Sequence, residues 1–189
     1  MSQSNPGHYL YLYTDLGYFP GHQPDFIHAC IEKGLITTSS LVNSDEYLVG
    51  DDFLQNVTFM GCSPYLKVYP DNDHDTDFCR IAIPSSIGSV QYISNPQATA
   101  PRCPSCRKAG YFPDNIIEHW NIQQENAVVT CGNCQQSSHL YDLDWRRNAG
   151  FCQFYMRISN IFPKEAIPNE ALLEWLAGLS KTDWKYFYA

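Results

Sequence analysis

Basic residues are scarce where the chain begins: residues 1–100 hold three lysines and arginines against eleven aspartates and glutamates. Affinity for nucleic acid comes largely from cations that displace counterions from phosphate, so this half offers no footprint for DNA or RNA and suits a basic protein surface better. Long apolar runs are missing too. No stretch approaches the roughly 20 residues that cross a bilayer, and residues 1–7 carry neither the basic nor the apolar region of a signal peptide. The expectation is a cytoplasmic protein without membrane contact. A phosphate-cradling glycine loop and a recognisable nucleophile-base pair are also lacking.

What is present describes a folded chain. Of 189 residues, 44% are hydrophobic and 14% aromatic, enough to bury one sizeable core with or without a small satellite module. The net charge of −8 is all N-terminal, because residues 101–147 balance five acids against five bases and residues 148–189 four against four. Eight cysteines do not make a secreted disulfide scaffold: four form two Cys-x-x-Cys pairs, while Cys30, Cys62, Cys79 and Cys152 sit singly among apolar residues and read as buried thiols.

Residues 8–14 alternate Tyr9, Tyr11 and Tyr13 with Leu10 and Leu12, a strand with both faces covered. Phe26, Ile27, Cys30 and Ile31 then form one helical stripe that Gly34 ends. Residues 35–42 form a second strand, and Ser44 caps a helix starting near Asp45 that Gly50 interrupts. Residues 53–60 fit helix or strand. Strands follow at 66–69, 78–83 and 90–93, with turns at 71–77 and 84–88. Residues 151–158 alternate as a strand, Pro168 and Asn169 introduce a helix with Leu172, Trp175, Leu176 and Leu179 on one face, and residues 184–188 close the sheet. The fold class is α/β or α+β: a mixed sheet with helices mainly on one face, a small cysteine module, and a C-terminal strand-helix-strand segment packing back on the core. A linker near residue 98 divides the chain into an acidic domain at 1–97, the module at 98–147 and the C-terminal segment at 148–189.

Cys103 and Cys106 form one pair, Cys131 and Cys134 the other, with 24 residues between the pairs. Two residues between cysteines let a tight turn aim both thiolates at one ion, and two such turns complete a tetrahedron around one structural zinc ion per chain. Gly132 and Asn133 suit that turn. The segment from Ala127 through the second pair to Trp145 reads strand, knuckle, strand and resembles a zinc ribbon over residues 101–147, with the insert 111–126 longer and more aromatic than a minimal ribbon. Within that insert Ile116, Ile117 and Trp120 mark a helical turn. The whole chain, with its Trp-Lys-Tyr-Phe-Tyr ending, also looks like small bacterial proteins. Four thiolates on one zinc carry a charge of −2, which Arg102, Arg107 and Lys108 offset. Arg146 and Arg147 have no such account.

Competing chemistry is weaker at each point. A thioredoxin-like couple needs one pair at a helix start, and a catalytic zinc needs an open position that four thiolates close. His119 or His139 standing in for a cysteine is less economical than four cysteines. The acidic run from Asp71 to Asp77 spaces carboxylates as a calcium loop does, yet has Thr76 where glycine is wanted and Ala82 where glutamate is wanted, so a solvated loop fits better. Asp51 and Asp52 read as part of an acidic helix start, Cys62 as an inert thiol, and His8, His22 and His28 form no evident site. The N-terminal tyrosines lack flanking cations for base stacking. The functional expectation is a non-enzymatic protein-interaction or adaptor protein whose partner is another protein. The alternatives are an enzyme with its site in the N-terminal region, and nucleic-acid binding through the ribbon. Oligomeric state has no signature.

Overall fold

The computed structural model describes residues 8–14, 23–40, 45–60, 66–72, 75, 77–84, 89–96, 98–123, 126–162 and 164–189. The proposed Ser44 cap, Cys62, His22 and part of the acidic run lie outside the described residues.

Of the two fold classes open to the sequence, the structure is α+β. Its main sheet has six strands in the order β12-β1-β10-β5-β3-β2. These are β1 (Tyr9–Thr14), β2 (Ile36–Ser40), β3 (Glu46–Val49), β5 (Arg80–Ala82), β10 (Tyr155–Ser159) and β12 (Trp184–Tyr188). Every pairing among them is antiparallel, where the sequence reading expected a mixed sheet. The C-terminal segment does more than pack on this sheet: β10 lies between β1 and β5, and β12 flanks β1 on the other side.

Alternation along β1 explains the two covered faces. Leu10 and Leu12 are buried in the main core with Ile81, Ile158, Phe26 and Leu176, each such side chain contributing about 1.5–3 kcal/mol by leaving water. Tyr11 faces the other way, stacked on Phe187 at 4.9 Å, and Tyr13 meets the same ring edge-on at 5.3 Å. The tyrosines therefore build a second, aromatic layer under the sheet.

Helix α1 (Gln23–Glu32) buries Phe26 and Cys30. It stops because Gly34 takes a φ of +69°, with Gly34 N–H donating to Ile31 O and Leu35 N–H to Cys30 O, a glycine-terminated end that uses two orphan carbonyls. Helix α4 (Glu170–Ser180) starts at Asn169, whose side chain accepts from Leu172 N–H at 2.8 Å. Asn169→Ala removes that acceptor and the side-chain bond to Gln55 O; it should cost about 1 kcal/mol and lower the melting temperature by roughly 2–4 °C in a thermal scan. On α4 Leu172 and Leu176 are buried as the stripe predicts, but Leu179 is 40% exposed, one position past the packed face.

Three local expectations are corrected. Residues 46–49 form strand β3, not a helix, because Tyr47 and Val49 alternate into the core while Glu46 bridges Arg80 and Arg157 on the opposite face. Residues 66–69 form no strand and pair with none among the described residues, although Cys79 N–H donates to Lys67 O. The alternating run at 151–158 is broken at residues 153–154 into β9 (Ala149–Cys152) and β10. Residues 53–60 split into α2 (Phe53–Asn56) and β4 (Val57–Phe59), the latter pairing with β11 (Ala166–Pro168).

A second core sits apart from the first. It gathers Val90, Ile116, Trp120, Ala127, Val129, Leu140, Leu143, Trp145, Ala149 and Phe151. Strand β6 (Gln91–Ser94) pairs with β9, so this core draws on residues either side of 98–147. Helix α3 (Ile116–Gln123) and the hairpin of β7 (Val128–Thr130) and β8 (Ser137–His139) complete it. The two cores meet where β9 crosses the aromatic layer. A Cβ at Gly150 would lie 2.5 Å from Phe187, so only glycine lets the backbone approach so closely.

Candidate metal centre

Each knuckle is built from its own backbone bonds. In the first, Cys103 N–H donates to Lys108 O and Arg107 N–H to Cys103 O; in the second, Cys131 N–H donates to Gln136 O and Gln135 N–H to Cys131 O. The two turns are thus the same device used twice. Each closes with a left-handed residue just after its second cysteine, Arg107 and Gln135, both at φ +60°. Neither is glycine, so each turn carries local strain of roughly 1–2 kcal/mol. Gly132 and Asn133 lie in the second turn, as their residue types suit, and also reach out of it: Gly132 N–H donates to Tyr111 O at 2.8 Å, and Asn133 accepts from Lys108 Nζ at 3.1 Å, tying one knuckle to the other and the second to the insert.

The four thiols converge. The Sγ atoms of Cys103, Cys106, Cys131 and Cys134 all lie within 4.8 Å of one another, with Cys103 to Cys134 at 3.6 Å and Cys106 to Cys131 at 3.8 Å. Four sulfurs about 2.3 Å from a central zinc sit about 3.8 Å apart along the edges of a tetrahedron, so the residues fit the ion. None of these four is in a disulfide. Cys103 and Cys131 are buried, Cys106 is half-buried and Cys134 exposed, so the centre sits just beneath the surface.

Backbone amides prepare the sulfurs for negative charge. The Cys106 amide, with help from Ser105, lowers the Cys103 thiol to about 7, and the Lys108 amide lowers Cys106. The Gln136 amide acts likewise on Cys134, but burial and hydrogen bonds with the three neighbouring thiols outweigh it and raise that group to about 11. A cation among them would favour the thiolate form of all four. By contrast, burial drives Cys30, Cys79 and Cys152 up to about 12, leaving them protonated and inert at neutral pH.

The other candidates are placed elsewhere. His139 stacks on Tyr141 at 5.0 Å and is not part of the four-cysteine cluster, and the side chain of His119 lies outside the described residues. His8 packs on Phe162 and His28 pairs with Glu32 on the surface. In the acidic loop, Lys67 forms ion pairs with Asp71 and Asp75, while Asp75 also accepts from the backbone of Asp71 and Asp77. These bonds, Lys67 first, hold the Asp75 carboxyl down at about 2. Asp52 accepts from Gln55 Nε2 at 2.8 Å ahead of α2.

Arg146 and Arg147, without a role in the sequence, have a structural one. They form the centre of a tight turn, both left-handed at φ +53° and +59°, closed by Asn148 N–H donating to Trp145 O, where Asn-Gly would be unstrained. Arg146 Nη2 donates to Ala100 O, and the Arg147 guanidinium lies 4.4 Å over the Tyr186 ring. A groove of about 920 Å³ opens beside this turn, between the module and strand β12. Only the Arg-Arg-Asn triplet hints at it in the sequence.

No family model, no curated protein and no solved structure matches the chain. Among the described residues, no helix is long and apolar enough to cross a membrane.

Proposed function

We propose that this chain is a zinc-binding interaction protein, in which Cys103, Cys106, Cys131 and Cys134 hold one structural ion and the module so fixed presents a surface to another protein. The observation that carries the reading is the pair of like-built knuckles that brings four thiols within 4.8 Å. Four thiolates fill a tetrahedral ion, which leaves no position for substrate or activated water and makes the role structural. Its consequence is positional: the exit from the second knuckle is anchored through Arg102, whose backbone exchanges bonds with Asp144, next to the groove.

Charge supports a protein partner over nucleic acid. The chain carries −8, and of the five cations at residues 101–147 Lys108 is bonded to Asn133 and Arg146 to Ala100, which leaves too few for a phosphate-binding footprint. We expect one zinc per purified chain by elemental analysis. In a fluorescence titration at about 0.15 M salt, single- and double-stranded DNA and RNA should bind no tighter than the roughly 10⁻⁴–10⁻⁶ M of non-specific contacts. Submicromolar, steeply salt-dependent binding would replace the protein reading with the nucleic-acid one. A chain free of metal with its thiols intact would remove the zinc.

A further inference from the structure

The groove beside β12 lies at an open sheet edge. Tyr9 and Ala189 exchange both backbone bonds, and the register pairs Tyr11 with Phe187 and Tyr13 with Lys185. Hydrogen-bonded pairs alternate in an antiparallel ladder, so Phe187 and Lys185 spend their backbone groups on β1 while Trp184, Tyr186 and Tyr188 aim theirs outward. Tyr188 N–H is already used: it donates to Arg147 O at 3.0 Å. No described residue bonds the backbone of Trp184 or Tyr186. The groove is lined by residues from both faces of β12, Trp184 and Tyr186 on one side and Lys185 on the other, which centres it on that edge. Its far wall is residues 141–147 of the module.

We propose that the groove receives an extended segment of a partner protein, which adds a strand to β12 through the backbone of Trp184 and Tyr186 and places a carboxylate beside Arg147. This rests on the interaction reading above and specifies its partner, whose segment in the groove is acidic although the excess of acids in residues 1–100 favours a basic surface there. Arg147 begins the added strand's ladder with its carbonyl, and the chain then turns away through the strained Arg146-Arg147 pair, so that no described residue takes the remaining rungs. Its guanidinium is exposed, stacked on Tyr186, and meets no carboxylate among the described residues. A planar donor fork held by an aromatic ring is suited to bidentate capture of a carboxylate. The groove's volume matches a bound short segment rather than a folded surface.

The test uses the zinc-loaded full chain and a fluorescein-labelled peptide of alternating valine and aspartate, six residues long, with a lysine-for-aspartate counterpart as control. The acidic peptide should bind at least about 10-fold tighter than the lysine one. On binding, hydrogen exchange at the Trp184 and Tyr186 amides should slow, while those of Lys185 and Phe187 are slow throughout. Arg147→Asn keeps a residue that tolerates the left-handed turn and should weaken the acidic peptide about 10-fold without changing zinc content. Tyr186→Pro, which removes one outward N–H at an edge position that tolerates proline, should abolish the protection. No preference between the peptides, no slowing at the two amides, or protection that arises from self-association in sedimentation would overturn the proposal. Zinc content and nucleic-acid titration on the same sample separate that failure from failure of the interaction reading itself.

Discussion

Cys131→Ser should give a protein that holds no stoichiometric zinc and whose second core is unfolded, with the six-stranded sheet still in place. Cys131 is fully buried, its amide is bonded to Gln136 O, and β7 ends at the residue before it. Without its sulfur the ion has three thiolates, and the two knuckles, 24 residues apart in sequence, lose the link that closes the loop between them. Structural zinc contributes about 10–16 kcal/mol in isolated finger peptides, more than a small module can lose and stay folded. The main core shares no residue with this one. Hydrogen exchange should therefore show the amides of β7 and β8 at unfolded rates and those of β1 and β10 protected. Collapse of both sets together would mean that the two cores fold as one unit.

Trp120→Ala should produce the second large loss, about 3–5 kcal/mol in chemical denaturation. Trp120 is 2% exposed and packs 4.5 Å from Phe151, in the cluster that also holds Val129 and Leu140 on either side of the second knuckle. Its removal leaves a cavity without touching a ligand. The variant should consequently still bind one zinc per chain, but with lower affinity, since part of the binding energy is spent folding the weakened module. A chelator competition reads that difference. Unchanged affinity would show that the knuckles assemble independently of the core beneath them.

The four-cysteine cluster was the most legible part of this protein because its information is local: a Cys-x-x-Cys turn is specified by adjacent residues, and both turns formed as spaced. Strand β1, helix α1 with its Gly34 stop, and α4 with Asn169 were legible for the same reason, as periodicity and caps are short-range. What failed was whatever depends on distant partners. Glu46–Val49 reads as a helix start until Ile81 and Arg80 are paired with it, and nothing in residues 155–159 announces that they insert between β1 and β5. The knuckles' left-handed positions at Arg107 and Gln135 went unseen because neither residue prefers that conformation. The groove is less legible still, since its walls come from Tyr13, residues 141–147 and 149–151, Leu173 and residues 184–186.

Zinc X-ray absorption on the purified protein tests the central claim most directly. The account predicts a first shell of four sulfurs at about 2.3 Å and no nitrogen or oxygen, with one zinc per chain and none bound by Cys131→Ser. A shell containing a light-atom ligand would contradict it, as would metal retained after Cys131→Ser or a purified chain with free thiols and no metal.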